Sequence, residues 1–212
     1  MPTTDPKEER ANVWTHVPGI VATLLLAWPL ASRAAAVSST CLLGVVLFLF
    51  GMLVMFTNST VYHYVKPGPL KRKLRVLDHC SIYVMIAGCY SLISIEVLGG
   101  WMGWSLFVFM WLCVVAGIIG KTIALGKHPK VSLALYLVMG WMAVLVMWPL
   151  WKALPHFAFW CIIAEGVFYS IGSWFFAKDD DHRYFHAIWH IFILLGAGSH
   201  TLATWWIVAQ AL

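Results

Sequence analysis

The stretch that decides the fold is NSTVYHYVKPGPLKRKLRVLDH, residues 58–79, which joins two long apolar runs. The run before the turn ends on Ser59 and His63, and the run after it begins with Asp78. Pro67-Gly68-Pro69 favours a turn between them. The stretch also carries five basic residues, which are Lys66, Lys71, Arg72, Lys73 and Arg75. Apolar runs joined by a short basic turn are typical of neighbouring membrane spans with a cytoplasmic loop.

Composition places the rest of the chain in a membrane as well. Of the 212 residues, 61% are hydrophobic, whereas globular domains have roughly 45–50% apolar residues. A membrane-spanning helix needs about 20 mostly apolar residues, and seven runs approach or exceed this length: Val17–Ala36, Val37–Tyr64, Val76–Leu98, Trp101–Ile119, Val131–Trp151, Phe157–Ala177 and Phe185–Ala209. We therefore predict an all-α, polytopic membrane protein. It would be a seven-transmembrane-helix bundle in a single domain, residues 1–212, with residues 1–16 as a short cytoplasmic segment.

Lysine and arginine set the predicted orientation, because basic loops are retained on the cytoplasmic side. With seven spans, the N-terminus and the second, fourth and sixth loops share one face. That face would hold twelve of the fourteen basic residues, which are Lys7, Arg10, Lys66, Lys71, Arg72, Lys73, Arg75, Lys121, Lys127, Lys130, Lys178 and Arg183. We expect the N-terminus to be cytoplasmic and the basic run of residues 66–75 to be a topological signal. The alternative for that run is an additional contact with acidic lipid headgroups.

Two further features narrow the class of protein. The first apolar run ends in Ala34-Ala35-Ala36, as a cleaved secretory signal would, but nearby acidic residues and Arg33 favour a retained span. All five cysteines lie within or at the ends of predicted spans without C-x-x-C spacing, so we interpret them as packing residues. Nothing in the sequence indicates nucleic-acid binding. Membrane lipid is the expected partner, and the oligomeric state stays open.

Polar residues from three predicted spans fall at a similar depth near the cytoplasmic face. Ser59 and His63 end the second span, Asp78 begins the third, and His186 and His190 begin the seventh. The two last histidines are four residues apart and share a helical face. Each residue has a simpler explanation on its own: a hydrogen-bonded histidine, a helix cap for Asp78, or a bond from Ser59 to the preceding turn. Ionisable groups are costly in a bilayer, which favours a shared functional site.

Three histidines with an open fourth position form a known ligand set for catalytic Zn²⁺. Asp78 could orient the water of such a site or accept its proton, and Ser59 could bond the water or a substrate carbonyl. Zinc makes water a nucleophile at neutral pH. This hypothesis predicts hydrolysis of an ester or amide bond in a lipid that enters from the inner leaflet.

The same motifs resemble the bacterial hemolysin III family, whose relatives include the progestin and adipoQ receptors. The resemblance rests on Ser59-Thr-Val-Tyr-His63, Asp78-His-Cys-Ser-Ile-Tyr-Val-Met-Ile-Ala-Gly88, His186-Ala-Ile-Trp-His190, Gly-Ala-Gly-Ser-His200 and Glu8-Glu9-x-x-Asn12-x-x-Thr15-His16. It implies a bacterial plasma-membrane bundle, with zinc held by His63, His186 and His190, Asp78 bonded to the zinc water, and Ser59 nearby. The chain departs from the family pattern after Gly88, where Cys89-Tyr90-Ser91-Leu92 replaces a Thr-Tyr-Thr-Pro run.

The resemblance leaves three functional hypotheses open. The first is a zinc-dependent hydrolase of a lipid amide or ester, similar to a ceramidase. The second is a non-enzymatic regulator of membrane homeostasis in which the zinc is structural. The third is a cytolysin, which the family name alone suggests and which a purely helical, apolar bundle does not favour.

Other polar residues carry weaker expectations. We expect His200 to pack or hydrogen-bond, because it lies about 15 Å beyond His190 along the helix. Glu165 should face the bundle interior and find a partner there. No metal role is assigned to His79. The run Asp179-Asp180-Asp181 is predicted to be a solvated turn that caps the last span, with an auxiliary cation site as the alternative. Glu96 is predicted to lie at the outer interface.

Overall fold

The computed structural model describes residues 5–124 and 129–211, and all regular structure in these ranges is helical. The helices are α1 Pro6–Val37, α2 Ser39–Tyr64, α3 Pro69–Leu92, α4 Gly100–Ala124, α5 Pro129–Trp141, α6 Met147–Ala153, α7 His156–Phe176 and α8 Phe185–Ala211. A π-helical segment, Ile93–Leu98, continues α3, and a 3-10 segment, Met142–Val146, joins α5 to α6. Lys127, which we assigned to the cytoplasmic face, lies outside the described residues.

Seven helical units in the described ranges are long and apolar enough to cross a membrane. Six of them are α1, α2, α3 with its π-helical end, α4, α7 and α8. The fifth unit in chain order, Val131–Ala153, combines α5, the 3-10 segment and α6. The prediction of an all-α, seven-helix membrane bundle is confirmed.

The first helix begins at Pro6, eleven residues before the predicted start of the first span at Val17. Asp5 caps it by accepting a hydrogen bond from the backbone N–H of Lys7 at 2.9 Å, and Pro6 occupies the first helical position. Acidic residues in the first turn favour the positive end of the helix dipole. Hydropathy marks only the apolar part of such a helix, so most of residues 1–16 belong to α1.

Close packing of α2 against α3 forms the centre of the bundle. A Cβ atom on Gly88 would lie 2.8 Å from the carbonyl oxygen of Leu47, and one on Gly44 would lie 2.5 Å from the Cα of Leu92. Small residues let membrane helices approach backbone to backbone in this way. Since α2 also packs against α1, and α1 packs against α8, the first and last helices meet beside the central pair.

The π-helical end of α3 places Glu96 against the connection between α1 and α2. The Glu96 carboxylate accepts hydrogen bonds from the hydroxyls of Ser38 at 2.8 Å and Thr40 at 2.5 Å. The chain then turns at Gly99 and Gly100, whose φ angles of 59° and 52° suit glycine. Glu96 thus links the α1–α2 connection to the α3–α4 connection, at the end of the bundle opposite residues 58–79.

Candidate metal centre

The three histidines predicted as ligands lie together at one end of the bundle. His63 comes from the last turns of α2, and His186 and His190 come from the first turns of α8. One ligand atom from each ring lies within 4.8 Å of those from the other two. His63 and His190 are buried and His186 is half-buried. The chain therefore brings together three nitrogen donors from two helices that are distant in sequence.

Each of these rings is held through its Nδ1 atom by a neighbouring oxygen. His63 Nδ1 lies 2.7 Å from the Glu9 carboxylate, and His186 Nδ1 lies 2.6 Å from the Asp179 carboxylate. His190 Nδ1 lies 3.0 Å from the Thr15 hydroxyl and 3.2 Å from the carbonyl oxygen of Asn12. Oxygen partners of this kind fix the orientation and tautomer of metal-binding histidines.

The Nε2 atoms of the same three rings are buried and have no hydrogen-bond partner among the described residues. A buried polar atom without a partner is costly, and most such atoms in folded proteins are satisfied. Three of them on clustered rings fit a metal ion, because each ring then presents one free nitrogen. The donor set, three neutral imidazoles, suits zinc and similar divalent ions.

Lys71 supports this arrangement from the basic stretch that joins α2 to α3. Its ammonium lies 2.9 Å from Glu9 and 3.0 Å from the carbonyl oxygen of Val65, and the side chain is buried. Lys71 therefore neutralises the carboxylate that holds His63 and satisfies the C-terminal end of α2. The interpretation of the basic run as a topological signal explains its charge but does not explain the contacts of Lys71 with Glu9 and α2.

Ser59 and Asp78, the predicted catalytic residues, lie side by side on the wall of a cavity of about 140 Å³. Both are buried, and the Ser59 hydroxyl lies close enough to the Asp78 carboxylate to interact with it. The remaining wall is mostly apolar and includes side chains of α3, α5, α6 and α7. A buried carboxylate near the histidines and an apolar cavity beside it suit chemistry on a lipid.

His16 also lies at the site, although the metal-site hypothesis inferred from residue spacing did not include it. Its ring stacks on His190 with a centroid separation of 3.6 Å and meets Phe56 edge-on. Neither ring nitrogen has a hydrogen-bond partner in the described part of the chain. The sequence did contain a signal, because residues 8, 9, 12, 15 and 16 recur at the three- and four-residue spacing of one helical face.

The aspartate run before α8 lies in a turn, as predicted, but it does not cap α8. Asp179 bonds the ring of His186, and the chain passes through a turn before α8 begins at Phe185. Arg183 in that turn bonds Glu8 at 3.2 Å and also pairs with Asp5. The hydrogen bond that Arg183 donates to Glu8 raises the pKa of the Arg183 guanidinium and so stabilises the positive charge at this link between α1 and the turn.

Two histidines lie apart from this centre, as expected. The His79 ring lies beside Lys121, and the backbone carbonyl of His79 accepts a bond from Tyr136 at 2.8 Å. His200 bonds Glu165 at 2.6 Å, which identifies the interior partner expected for that glutamate.

Comparison with known proteins gives consistent matches over most of the chain. A family model described as haemolysin-III related matches residues 4–201. The chain is 32% identical to "Hemolysin-3" of Bacillus cereus, over 90% of this chain and 87% of that protein. It is also 32% identical to "Hemolysin-3 homolog" of Bacillus subtilis (strain 168), over 91% of each. The human "Monocyte to macrophage differentiation factor" is 31% identical, over 93% of this chain and 83% of that protein. No solved structure gives a significant match.

Proposed function

The chain belongs to the haemolysin-III related family, and on that premise we propose that it is a zinc-dependent hydrolase of a lipid amide or ester in the bacterial plasma membrane. His63, His186 and His190 would hold the ion. The observation that carries the proposal is the set of three buried Nε2 atoms without partners among the described residues, close to the neighbouring side chains of Ser59 and Asp78. Three histidines that can hold a metal ion, next to a carboxylate that can act as a base, suit metal-assisted hydrolysis.

When bound, zinc would supply a Lewis acid that polarises a carbonyl and lowers the pKa of water to about 7. The protein contributes three neutral nitrogens and leaves a fourth position for water or substrate. The carboxylate of Asp179 supplies negative charge beside His186, which offsets part of the charge of the ion in a medium of low dielectric constant. Glu9, which Lys71 neutralises, holds the ring of His63 in place.

Asp78 is the group that would accept a proton from the attacking water, because it is the buried carboxylate on the cavity wall next to this centre. Ser59 lies next to that carboxylate and would help to orient it. His16 packs flat against His190 and limits the movement of the ring. The apolar wall would exclude bulk water and hold the hydrocarbon chain of the substrate.

The depth of the site favours a lipid substrate from the inner leaflet. The site lies at the end of the bundle that carries the basic connection between α2 and α3, and basic connections are retained in the cytoplasm. A lipid could place its polar linkage at Ser59 and Asp78 while its chain extends along the cavity toward α5 and α7.

Metal content and turnover of the detergent-purified chain test this proposal together. We expect His63→Ala, and His186→Ala with His190→Ala, to lower the zinc content by one ion per chain. His79→Ala should leave the content unchanged, because that ring lies beside Lys121 and outside the centre. The proposal is contradicted if the wild-type protein is folded and the histidine variants contain as much zinc as it does.

Asp78→Asn separates catalysis from metal binding. A general base contributes about 10²–10⁴-fold to the rate, so this variant should keep its zinc and lose turnover of a panel of acyl-amide and acyl-ester lipids by at least about a hundredfold. Turnover equal to that of the wild type would remove the hydrolase proposal.

A structural role for the zinc is the second candidate, because groups from α1, α2 and α8 meet at the centre. On that candidate, removal of zinc lowers the temperature of unfolding and the amount of protein, while Asp78→Asn supports membrane homeostasis normally. The cytolysin hypothesis predicts release of dye from liposomes by the purified chain, and intact liposomes would exclude it.

A further inference from the structure

A second cluster of potential metal ligands lies deeper in the same bundle. Cys89 of α3, Glu165 of α7 and His200 of α8 each offer one ligand atom within 4.8 Å of the others. All three are buried, with 4%, 8% and 1% of their surface exposed. Ions with bonds of about 2.0–2.3 Å to sulfur, nitrogen and oxygen can bridge such separations.

This cluster is separate from the centre formed by His63, His186 and His190. His200 follows His190 by ten residues on α8, which corresponds to about 15 Å along the helix. The two groups therefore cannot share one ion. The second cluster lines the same cavity as Ser59 and Asp78, the two residues next to the first centre.

The three side chains of the cluster meet at one carboxylate. His200 Nδ1 lies 2.6 Å from Glu165, and the Cys89 thiol lies close enough to Glu165 to interact with it. His200 Nε2 is buried and has no partner among the described residues. At the first centre the carboxylates that hold Nδ1 are not ligands, whereas here Glu165 is itself a candidate ligand, so an ion between the three side chains would replace its bond to His200.

A tyrosine hydroxyl adds a fourth polar atom next to the cluster. Tyr169 of α7 lies close enough to Cys89 and Glu165 to interact electrostatically with both. Its hydroxyl is buried and lacks a hydrogen-bond partner within the described ranges. The Tyr169 ring occupies the space left by Gly196, where a Cβ atom would lie 2.2 Å from it. The packing of α7 on α8 therefore fixes an unsatisfied hydroxyl beside the three donors.

We propose that Cys89, Glu165 and His200 bind a second divalent transition-metal ion of the zinc class, inside the membrane. Thiolate, imidazole and carboxylate are the ligand types that such ions take from proteins. On binding, the Cys89 thiol loses its proton to water in the cavity and forms the metal–sulfur bond, and no electron is transferred. A divalent ion with one thiolate, one carboxylate and one neutral imidazole sums to zero charge, which reduces the cost of placing these groups in a bilayer.

The competing explanation is a hydrogen-bonded cluster that only joins α3, α7 and α8. It accounts for the bond between His200 Nδ1 and Glu165, and it leaves the buried Tyr169 hydroxyl without a partner among the described residues.

Cobalt substitution tests the proposal directly, since thiolate–cobalt bonds absorb in the near ultraviolet and a site of three histidines has no thiolate. The full chain is purified in detergent, stripped with a chelator and titrated with Co²⁺. We expect a charge-transfer band that saturates at one thiolate-bound ion per chain. Cys89→Ser should abolish the band and lower the bound cobalt by one ion per chain, and Glu165→Gln and His200→Ala should weaken this binding at least about tenfold.

Cys161→Ser is the matched control, because Cys161 is a half-buried cysteine of α7 that is not part of the cluster. It should leave the band unchanged. Absence of a band in monodisperse wild-type protein, or a band that survives Cys89→Ser, overturns the proposal. The result is independent of the hydrolase proposal: a band that depends on Cys89 stands even if His63→Ala leaves the metal content unchanged.

Discussion

Glu9 offers the sharpest test of how the first centre is built. Its carboxylate lies 2.7 Å from His63 Nδ1 and 2.9 Å from the Lys71 ammonium, and its side chain is 15% exposed. Glu9→Gln keeps the size and one acceptor oxygen but removes the charge. The glutamine can still accept one hydrogen bond, but its amide N–H₂ group must then face either the ring N–H of His63 or the ammonium of Lys71, both of which are donors.

The size of the effect follows from the change in bond type. A hydrogen bond to a charged group contributes about 1.5–3 kcal/mol, and a neutral one about 0.5–1.5 kcal/mol. Holding His63 through a neutral amide should therefore cost about 1–2 kcal/mol, which is about 5–30-fold in the dissociation constant for zinc. Losses of about 10–100-fold are typical when such outer partners are removed.

Competition between the purified chain and a zinc-binding dye measures this change. Glu8→Gln is the matched control, because Glu8 is the neighbouring acidic residue on α1 and bonds Arg183 instead of a ring. We expect the affinity of that variant to stay within about twofold of wild type. An unchanged affinity in Glu9→Gln, or an equal loss in Glu8→Gln, refutes the idea that this carboxylate prepares His63 for the ion.

Two further predictions concern stability. Lys71→Met removes the ammonium that neutralises Glu9 and should lower the unfolding free energy by about 1.5–3 kcal/mol. Lys73→Met is the control, because Lys73 is exposed, and it should leave the unfolding free energy unchanged. Equal melting temperatures of the two variants in detergent would contradict this prediction. Gly88→Ala should push α3 away from the backbone of α2 and destabilise the bundle by about 1–3 kcal/mol. Gly120→Ala is the control, because a Cβ atom there meets nothing within 4 Å, and a Gly88→Ala variant as stable as this control would contradict the packing described.

The fold was largely predictable because lipid imposes a simple rule on the sequence. A span must be long, apolar and helical, and the seven runs were recognisable on that basis. The start of α1 was missed, since Glu8, Glu9 and Asn12 lower the hydropathy of a stretch that is nevertheless helical. Helix capping by Asp5 and Pro6, which hydropathy does not measure, decides where this helix begins.

The clustering of the three histidines was predictable from the sequence, and their supporting residues were less so. His63, His186 and His190 could be placed at one depth by counting along helices. The partners Glu9 and Asp179 depend on which faces of α1 and of the turn before α8 meet the rings, and this depends on tertiary packing. The grouping of Cys89 with Glu165 and His200 likewise needed the relative rotation of three helices.

The meeting of α1 and α8 has a consequence for how the protein is made. Thr15 and His16 reach their contacts with His190 across about 175 residues of chain, so the centre cannot exist until the last span has been synthesised and inserted. A nascent chain that stalls after six spans has only His63 of the three rings. Metal binding would therefore report complete insertion, and truncated or misinserted chains would stay metal-free and exposed to quality-control proteases.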